Sequence, residues 1–326
     1  MSHYLVTGAA GFIASRVIRC LVEEGHTVTG IDNLNEAYDV RMKHYRLEKM
    51  KDLPGLDVQV MDICDRPRLT ELFKNARQPF DAVLNLAARA GVRSSVEDPW
   101  SYYNTNQMGT LNLLELCRTY HVQKFILASS SSVYGSNNPM PYKEDANTDL
   151  PLQPYAASKK AAEVLGHVYT HLYGLDFTVF RFFTVYGPAG RPDMVMFRFC
   201  QWISEGRTVH LNGDGEQSRG FTYLDDIARG VLLGLNTKGY NIFNLGGHEV
   251  ITMNQLITML ETRLGKKAQI EHHPFHPADA LGNLADVSKA RAGLGWEPRV
   301  GLEDGVTNLV NWYLSERSWA RDIRTD

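Results

Sequence analysis

The chain has 326 residues, which is enough for one large domain or for two lobes with a well-buried core. Its 34 basic and 37 acidic residues leave a net charge of −3, which does not favour nucleic acid or an anionic membrane as a partner. No uninterrupted apolar run approaches the roughly 20 residues of a membrane span. Because Cys20, Cys64, Cys117 and Cys200 form no CxxC pair, we expect reduced thiols, no metal site and a cytoplasmic protein.

The first 32 residues alternate strand, glycine turn, helix and strand, and they end on an acid. Residues 4–7 form a short apolar strand so near the start that we expect no signal peptide. Gly8 would permit a tight turn, and Gly11 would let the backbone approach a pyrophosphate at a helix N-terminus. The second strand ends at Asp32, whose carboxylate suits a ribose 2′-hydroxyl and would repel a 2′-phosphate. The segment therefore predicts a dinucleotide site that binds NAD rather than NADP.

The alternation of strands and helices continues to about residue 181. Strands are predicted over 56–61, 80–85, 125–128 and 177–181, and helices over 69–75, 99–120 and 155–173. Repeated units of this length predict an α/β fold with a doubly wound parallel sheet, whose ligands bind beyond the carboxyl ends of the strands. Asp32, Asp62, Ala87 and Ser130 all follow predicted strands, so we expect them on one rim.

After residue 181 the pattern becomes irregular, with short strands, loops and helices. We interpret this part as a smaller substrate lobe that interleaves with the first. The predicted division assigns 1–181, with 219–246 returning to it, to a Rossmann domain, and 182–218 with 247–326 to the second lobe.

Two side chains on one predicted helix suggest chemistry. Tyr155 and Lys159 are four residues apart and share a face, where the ammonium would favour the phenolate. Ser130 lies in a serine run that follows a predicted strand. With NAD on the same rim, Tyr155 would move the proton of a carbinol, Lys159 would hold the nicotinamide ribose, and Ser130 would orient the hydroxyl. A Tyr–Lys pair on a helix is more often an amphipathic surface pair, and a serine-rich strand end is more often a turn. Their order after the glycine loop nevertheless favours a catalytic role.

These motifs resemble the extended short-chain dehydrogenase/reductase family, also called NAD-dependent epimerase/dehydratases, over essentially the full chain. The shared segments are 7–13, 62–63, 86–88, Ser130 with Tyr155 and Lys159, and 219–226. Within the family the chain is most similar to the UDP-glucuronate 4-epimerases. The segments that carry this likeness are 90–93, 129–135 and, above all, 181–194, whose RFFTVYGPxGRPDM pattern is rare elsewhere in the superfamily.

The resemblance implies tightly bound NAD, a UDP-sugar substrate, and a homodimer formed by helices near 100–119 and 155–173. It implies that UDP-glucuronate becomes UDP-galacturonate through a transient 4-keto sugar and return of the hydride to C4. Tyr155, Lys159 and Ser130 would be catalytic. The implied cofactor-binding residues are Gly8, Ala10, Gly11, Phe12, Ile13, Asp32, Asn33, Asp62, Ile63, Leu86, Ala87, Ala88, Asn106, Tyr155 and Lys159. The implied substrate-binding residues are Arg93, Ser131, Ser132, Thr184, Arg191, Met194, Arg219 and Asp279.

Some of these substrate residues have more specific expected roles. Arg219 matches the arginine that binds the diphosphate in the family, and Asp279 matches an acid near the uridine ribose. Ser131, Ser132 and Thr184 are expected at the glucuronate carboxylate. Arg191 has two interpretations: a contact to the UDP part or the acid, or a loop arginine paired with Asp193.

The chain departs from the family pattern at four positions. Asn85 stands where relatives usually have His, and Arg89 where Gln is common. Gly220 replaces an Asp, and Ala278 replaces a Gly. None of the four belongs to the Ser–Tyr–Lys set.

Three other activities and one non-catalytic role compete with epimerisation of UDP-glucuronate. Decarboxylases of the superfamily carry Glu at the position of Ser132, and 4,6-dehydratases carry Asp-Glu at Ser131-Ser132. A UDP-glucose/galactose 4-epimerase would not need the hydroxyl cluster. A non-catalytic NAD-sensing protein commonly loses the Tyr or the Lys, and both are present here.

Overall fold

The computed structural model describes residues 1–247, 249–274 and 282–325. The strands in these ranges are β1 (His3–Thr7), β2 (Thr27–Asp32), β3 (Leu56–Val60), β4 (Ala82–Asn85), β5 (Lys124–Ser130), β6 (Asp176–Phe182), β7 (Thr184–Tyr186), β8 (Thr208–Asn212), β9 (Ser218–Tyr223), β10 (Tyr240–Leu245), β11 (Glu249–Thr252) and β12 (Gln269–His273). The α-helices are α1 (Phe12–Glu23), α2 (Arg41–Glu48), α3 (Arg66–Lys74), α4 (Ser94–Glu97), α5 (Pro99–Tyr102), α6 (Gly109–Thr119), α7 (Pro154–Tyr173), α8 (Val195–Glu205), α9 (Leu224–Leu233), α10 (Met253–Leu264), α11 (Ser288–Leu294), α12 (Leu302–Ser315) and α13 (Arg317–Ala320).

The main sheet has seven strands in the order β10-β6-β5-β4-β1-β2-β3, and every neighbouring pair is parallel. The predicted doubly wound parallel sheet is therefore confirmed. Asp32, Asn85 and Ser130 are the last residues of β2, β4 and β5. These residues therefore lie along the carboxyl rim, where such sheets bind ligands.

Helices cover both faces of this sheet, so the inner strands β1, β4, β5 and β6 are buried almost throughout, whereas the edge strand β3 is partly exposed. Successive residues of a strand point to opposite faces. Val6 and Leu84 pack with α1 and α9 in one cluster, whereas their neighbours Leu5 and Val83 pack with α3, α6 and α7 in another. The buried layers on either side fix the rim as the place where polar side chains can meet a ligand.

The helix predicted over 99–120 is interrupted. α5 and α6 are joined by a π-helical segment, Tyr103–Met108. A π-turn accommodates an extra residue and often marks a functional site. Here it directs Asn106 inward, where the residue is 1% exposed.

A second lobe holds the remaining strands. β11, β9 and β7 form one small sheet, and β12 pairs with β8 in another. Their core lies against α8, α10 and α12. β9 belongs to the three-stranded sheet, and α9, which follows it directly, packs against α1 beside the main sheet. Among the helices of the described ranges, none combines the length and apolar composition needed to cross a membrane.

Candidate active site

A cavity of about 1110 Å³ lies between the carboxyl rim of the main sheet and the second lobe. Most residues that the sequence singled out line it. They are Gly8, Gly11, Phe12, Ile13, Asp32, Asn33, Asp62, Ile63, Leu86, Ala87, Ala88, Arg93, Ser130, Ser131, Ser132, Tyr155, Lys159, Thr184, Arg191, Met194 and Arg219. Ala10 and Asn106 are buried behind this lining. Asp279 and Ala278 lie outside the described residues.

The loop between β1 and α1 needs glycine at two positions. Gly8 has φ +71°, and a Cβ there would lie 2.9 Å from the Ala87 Cα. The Gly11 N–H donates to the Gly8 carbonyl at 2.7 Å, which closes the turn. α1 follows at once, and no side chain caps its first N–H groups. Free N–H groups at a helix N-terminus that faces a cavity fit the pyrophosphate of a dinucleotide.

Asp32 is held in place at the end of β2. Its carboxylate accepts hydrogen bonds from the backbone N–H groups of Ala10 at 3.1 Å and Leu34 at 2.8 Å. Lys43 places its Nζ 3.5 Å from the same group. Ala10 thus acts through Asp32 and not by lining the cavity. A fixed carboxylate at this position suits the two hydroxyls of an adenosine ribose.

We expect the substitution Asp32→Asn to relax the preference for NAD over NADP by at least about tenfold, because it removes the charge that repels a 2′-phosphate. It also leaves the Lys43 ammonium without its carboxylate partner, and that cation would then attract the phosphate. Titration of both dinucleotides by calorimetry measures the ratio of affinities. Asp62→Asn is the matched control, since Asp62 accepts from Asn33 at the end of the neighbouring strand. An unchanged ratio in Asp32→Asn would contradict this role.

A layer of amides supports the rim from behind. Asn106 accepts from the Arg89 N–H at 2.9 Å and donates to the Arg89 carbonyl at 3.0 Å and to Ser158 at 2.9 Å. Asn85 accepts from Thr7 at 2.7 Å. Asn106 therefore positions the segment after β4 and anchors it to α7. Asparagine fits at position 85, where relatives usually have His, because the Asn85 amide forms hydrogen bonds with neighbouring side chains.

Tyr155 and Lys159 lie on the first two turns of α7, which begins with a proline at its first position, a residue favoured there. The Lys159 Nζ donates to the Ala128 carbonyl at 2.8 Å. Burial lowers the pKa of Lys159 to about 7, although the charge of Glu163 acts in the opposite direction. Burial raises the pKa of the Tyr155 phenol, against which a hydrogen bond with Ser130 and the positive charge of Arg191 act. The pKa of the phenol therefore depends on the charges placed beside it.

The end of β5 divides the serine run, with Ser130 as the last residue of the strand and Ser131 and Ser132 in the turn that follows. The Ser130 Oγ accepts from the Ser132 N–H at 3.2 Å and donates to the Ser132 Oγ at 3.2 Å, as a 3₁₀ turn begins. The Ser131 Oγ accepts from the Asn283 Nδ2 at 3.1 Å. Within the described part of the chain the buried Asn283 Oδ1 has no hydrogen-bond partner. Three hydroxyls and one amide oxygen thus lie together at the cavity wall.

The Ser129 hydroxyl bonds a buried ion pair. Its Oγ donates to Glu163 at 2.5 Å. Arg181 donates to the same carboxylate through Nε at 3.1 Å and Nη2 at 2.8 Å, and both charged residues are 1% exposed. The Arg181 guanidinium also lies 4.9 Å from the centre of the Tyr134 ring. This pair ties β5, β6 and α7 together directly behind the reacting groups.

The second lobe supplies the far wall of the cavity. Thr184 begins β7, which pairs in parallel with β9, the strand that carries Arg219. Gly220 lies against the backbone of Gly247, where a Cβ would come within 2.7 Å of the Gly247 carbonyl carbon. A side chain at position 220 would force this backbone contact to move, so the glycine permits the close approach seen in this chain.

Arg191 forms the loop ion pair and also lines the cavity. Its Nε donates to Asp193 at 3.1 Å, so it forms the loop ion pair. It also lines the cavity, and its charge reaches Tyr155. The pairing fixes the guanidinium without removing it from the site.

Sequence reasoning missed several residues of the cavity lining. They are Tyr38, Lys43, Arg198, Asn212, Gln217 and Asn283. Arg198 lies one turn beyond Met194 at the start of α8, so helical spacing from Met194 could have found it. Asn283 belongs to no motif, and no sequence spacing relates it to another residue of the site.

Comparison with known proteins agrees with this geometry. The model of the NAD dependent epimerase/dehydratase family matches residues 4–246. A UDP-glucuronate 4-epimerase of Thermodesulfobacterium geofontis is 51% identical and covers 96% of both chains. The crystal structure of a UDP-glucuronic acid 4-epimerase from Bacillus cereus, in complex with UDP-glucuronic acid and NAD, superposes with a TM-score of 0.90 at 34% identity, covering 96% of this chain and 99% of that one.

A second structure shows how widely the architecture is shared. A UDP-glucose 4-epimerase of Thermotoga maritima, crystallised with UDP-glucose, gives a TM-score of 0.89 at 33% identity and covers 97% of this chain and 99% of that one. The fold alone therefore does not select the sugar. With the glycine loop, Asp32 and the Ser–Tyr–Lys set arranged around one cavity, and with the family model matched over most of its length, the chain belongs to the NAD dependent epimerase/dehydratase family.

Proposed function

We propose that the protein converts UDP-glucuronate to UDP-galacturonate by inverting C4, with NAD as a cofactor that stays bound through each cycle. The observation that carries the proposal is the hydroxyl cluster of Ser130, Ser131 and Ser132 beside Tyr155 in a cavity large enough for both molecules. The relative that is 51% identical over nearly the whole chain is a UDP-glucuronate 4-epimerase, which supports the choice of sugar.

The residues that would hold NAD fit its chemistry. The glycine loop and α1 would receive the pyrophosphate, and Asp32 the adenosine ribose. When bound, NAD would accept the hydride from C4 of the sugar and return it. Lys159 would contact the nicotinamide ribose and keep positive charge near the phenol.

Proton transfer is the task of the chain's own residues. Tyr155 accepts the proton of the sugar 4-hydroxyl in the oxidising half of the cycle and returns it in the reducing half. Ser130 orients that hydroxyl through the hydrogen bond that it shares with the phenol. Arg219, at the far wall, would hold the diphosphate while the 4-keto sugar turns to present its other face.

The same cluster separates epimerisation from decarboxylation. A 4-keto glucuronate is a β-keto acid, and it loses CO₂ when its carboxylate turns perpendicular to the carbonyl plane. Ser131, Ser132 and Thr184 offer hydroxyls that would hold the carboxylate in plane. The acid that decarboxylases place at position 132 is replaced here by a neutral Ser132, which favours retention of the carboxylate.

Product analysis tests this proposal. Purified protein is incubated separately with UDP-glucuronate and with UDP-glucose, and the nucleotide sugars are resolved by anion-exchange chromatography. We expect UDP-galacturonate to accumulate. UDP-xylose with release of CO₂ would instead identify a decarboxylase, and turnover of UDP-glucose alone would identify a UDP-glucose/galactose epimerase. Bound NAD without any turnover would support a sensing protein.

We also propose a homodimer formed by α7 and the segment around residues 100–119. Val164, Val168 and Leu172 are exposed at four-residue spacing along one face of α7. Trp100 is 78% exposed on the neighbouring α5. An apolar surface of this kind is typical of a protein interface. A dimer measured by analytical ultracentrifugation that becomes monomeric in Val168→Glu would support this interface.

The division of labour between the lobes is likewise a proposal. The main sheet with α9 would form the NAD-binding domain, and β7 to β9 together with the segment after β10 would bind the nucleotide sugar. The four free cysteines fit a reducing compartment, so we propose a cytoplasmic location.

A further inference from the structure

Two histidines and a glutamate cluster on the outer sheet of the second lobe. β8 and β12 pair in parallel, with His210 opposite Glu271, and His273 follows two residues later on the same face. The His210 Nδ1 lies 3.0 Å from the His273 Nε2 and 3.7 Å from the Glu271 carboxylate. The His273 Nε2 lies 3.4 Å from that carboxylate. Three side chains therefore bring one possible ligand atom each within 4.8 Å of one another.

We propose that His210, Glu271 and His273 bind a divalent transition-metal ion, with Zn²⁺ as the best fit. Ligands about 2.0–2.2 Å from a tetrahedral zinc ion lie roughly 3.4 Å from one another. The separations in this cluster are close to that value, with each imidazole nitrogen nearest to a different oxygen of the Glu271 carboxylate. Two imidazoles and one carboxylate are a donor set that zinc uses in proteins, with a further position left for water. Imidazole ligands also suit Cu²⁺ and Ni²⁺.

The surroundings favour an ion over a simple contact between two rings. A divalent cation would be attracted by the Glu271 carboxylate and would accept the nitrogen lone pairs of both imidazoles. The side chains are 49%, 57% and 39% exposed for His210, Glu271 and His273, so an ion can enter and keep water ligands. The edge-on ring of Trp202, 5.6 Å from the His210 ring, restricts how the imidazole can turn. A restricted ligand is one that loses little freedom when the ion binds.

An ion at this place would connect two strands that otherwise depend on their own pairing. β8 and β12 form a separate two-stranded sheet. His210 also contributes to the wall of the large cavity. The ion would therefore clamp the outer edge of the second lobe close to the cavity wall. We expect zinc to raise the thermal melting temperature of the full chain.

Zinc binding to the untagged full-length chain, stripped with a chelator, tests the site by calorimetry. We expect one ion per chain, and at least about tenfold weaker binding in His210→Ala and in His273→Gln. Binding should also weaken at acidic pH, since protons compete for imidazole ligands. His272→Ala is the matched control, because its ring contacts the Gly213 carbonyl instead of the cluster.

The outcomes are separable from those for the proposed function, because neither NAD nor a nucleotide sugar is present. Failure of the wild-type chain to bind zinc would overturn the site, and so would an equal loss in His272→Ala and His210→Ala. Circular dichroism of each variant establishes that a loss of binding reflects the ligand and not the fold.

Discussion

Tyr155→Phe is expected to lower kcat by about 10²- to 10⁴-fold while the variant still binds NAD. The phenol is the group placed to accept the proton of the 4-hydroxyl, and phenylalanine keeps the ring without the hydroxyl. The effect should fall on kcat more than on KM, since proton transfer belongs to the transition state. Initial rates with UDP-glucuronate measure kcat and KM, and calorimetric titration measures the affinity for NAD.

Tyr102→Phe is the matched control for this variant. The rings of Tyr102 and Tyr155 are 6.0 Å apart and meet edge to face, so the control removes a hydroxyl from the same neighbourhood. The Tyr102 hydroxyl contacts Ser94 at 2.7 Å. We expect less than about a tenfold change in kcat there, since the group moves no substrate proton. Near-full activity in Tyr155→Phe, or equal losses in both variants, would remove Tyr155 from its role.

Glu163→Ala is expected to destabilise the folded chain by about 3–5 kcal/mol, because it leaves the buried Arg181 charge without its partner. The same change removes the acceptor for Ser129 next to the reacting serine. Urea denaturation followed by circular dichroism measures the loss. Glu48→Ala breaks the exposed ion pair with Lys51 and serves as the control, for which we expect a small fraction of that loss.

Two further variants separate charge from hydrogen bonding at Glu163. Glu163→Gln keeps an acceptor but removes the charge, so we expect it to be nearly as destabilised as Glu163→Ala. Combining Glu163→Leu with Arg181→Met replaces the pair by apolar groups and should recover part of the lost stability. If Glu163→Gln were as stable as the wild-type chain, the ion pair would not be what stabilises this region.

Much of the main domain could be predicted because its signals are local. A parallel strand is a short apolar run, and Gly8, Gly11 and Asp32 specify a turn, a close approach and an acid within one βαβ unit. Tyr155 and Lys159 are related by helical spacing alone. The carboxyl rim then follows from the topology, since every parallel strand delivers its last residue to the same edge.

The remaining features depend on contacts between distant parts of the chain. The π-helical segment exists because Asn106 bonds both Arg89 and Ser158, and no local pattern encodes that need. α2 was missed because its residues are mostly polar and charged, with no clear apolar stripe. Asn283 reaches Ser131 across 152 positions of sequence. The His210 cluster likewise needs the pairing of β8 with β12 before its ligands meet.

The chain crosses several times between the seven-stranded sheet and the three-stranded sheet. These crossings limit relative motion of the two lobes and the exchange of one lobe for another. β6 and β7 are separated by Phe183 alone, β9 leads directly into α9, and β10 leaves the main sheet for β11. Three short crossings within about 70 residues act as parallel tethers, which resist a wide hinge motion more than a single linker would. The second lobe consequently cannot be exchanged as one continuous segment of the chain. Altered sugar specificity in this scaffold should come from point substitutions at the cavity wall, where Ser131, Ser132 and Asn283 meet.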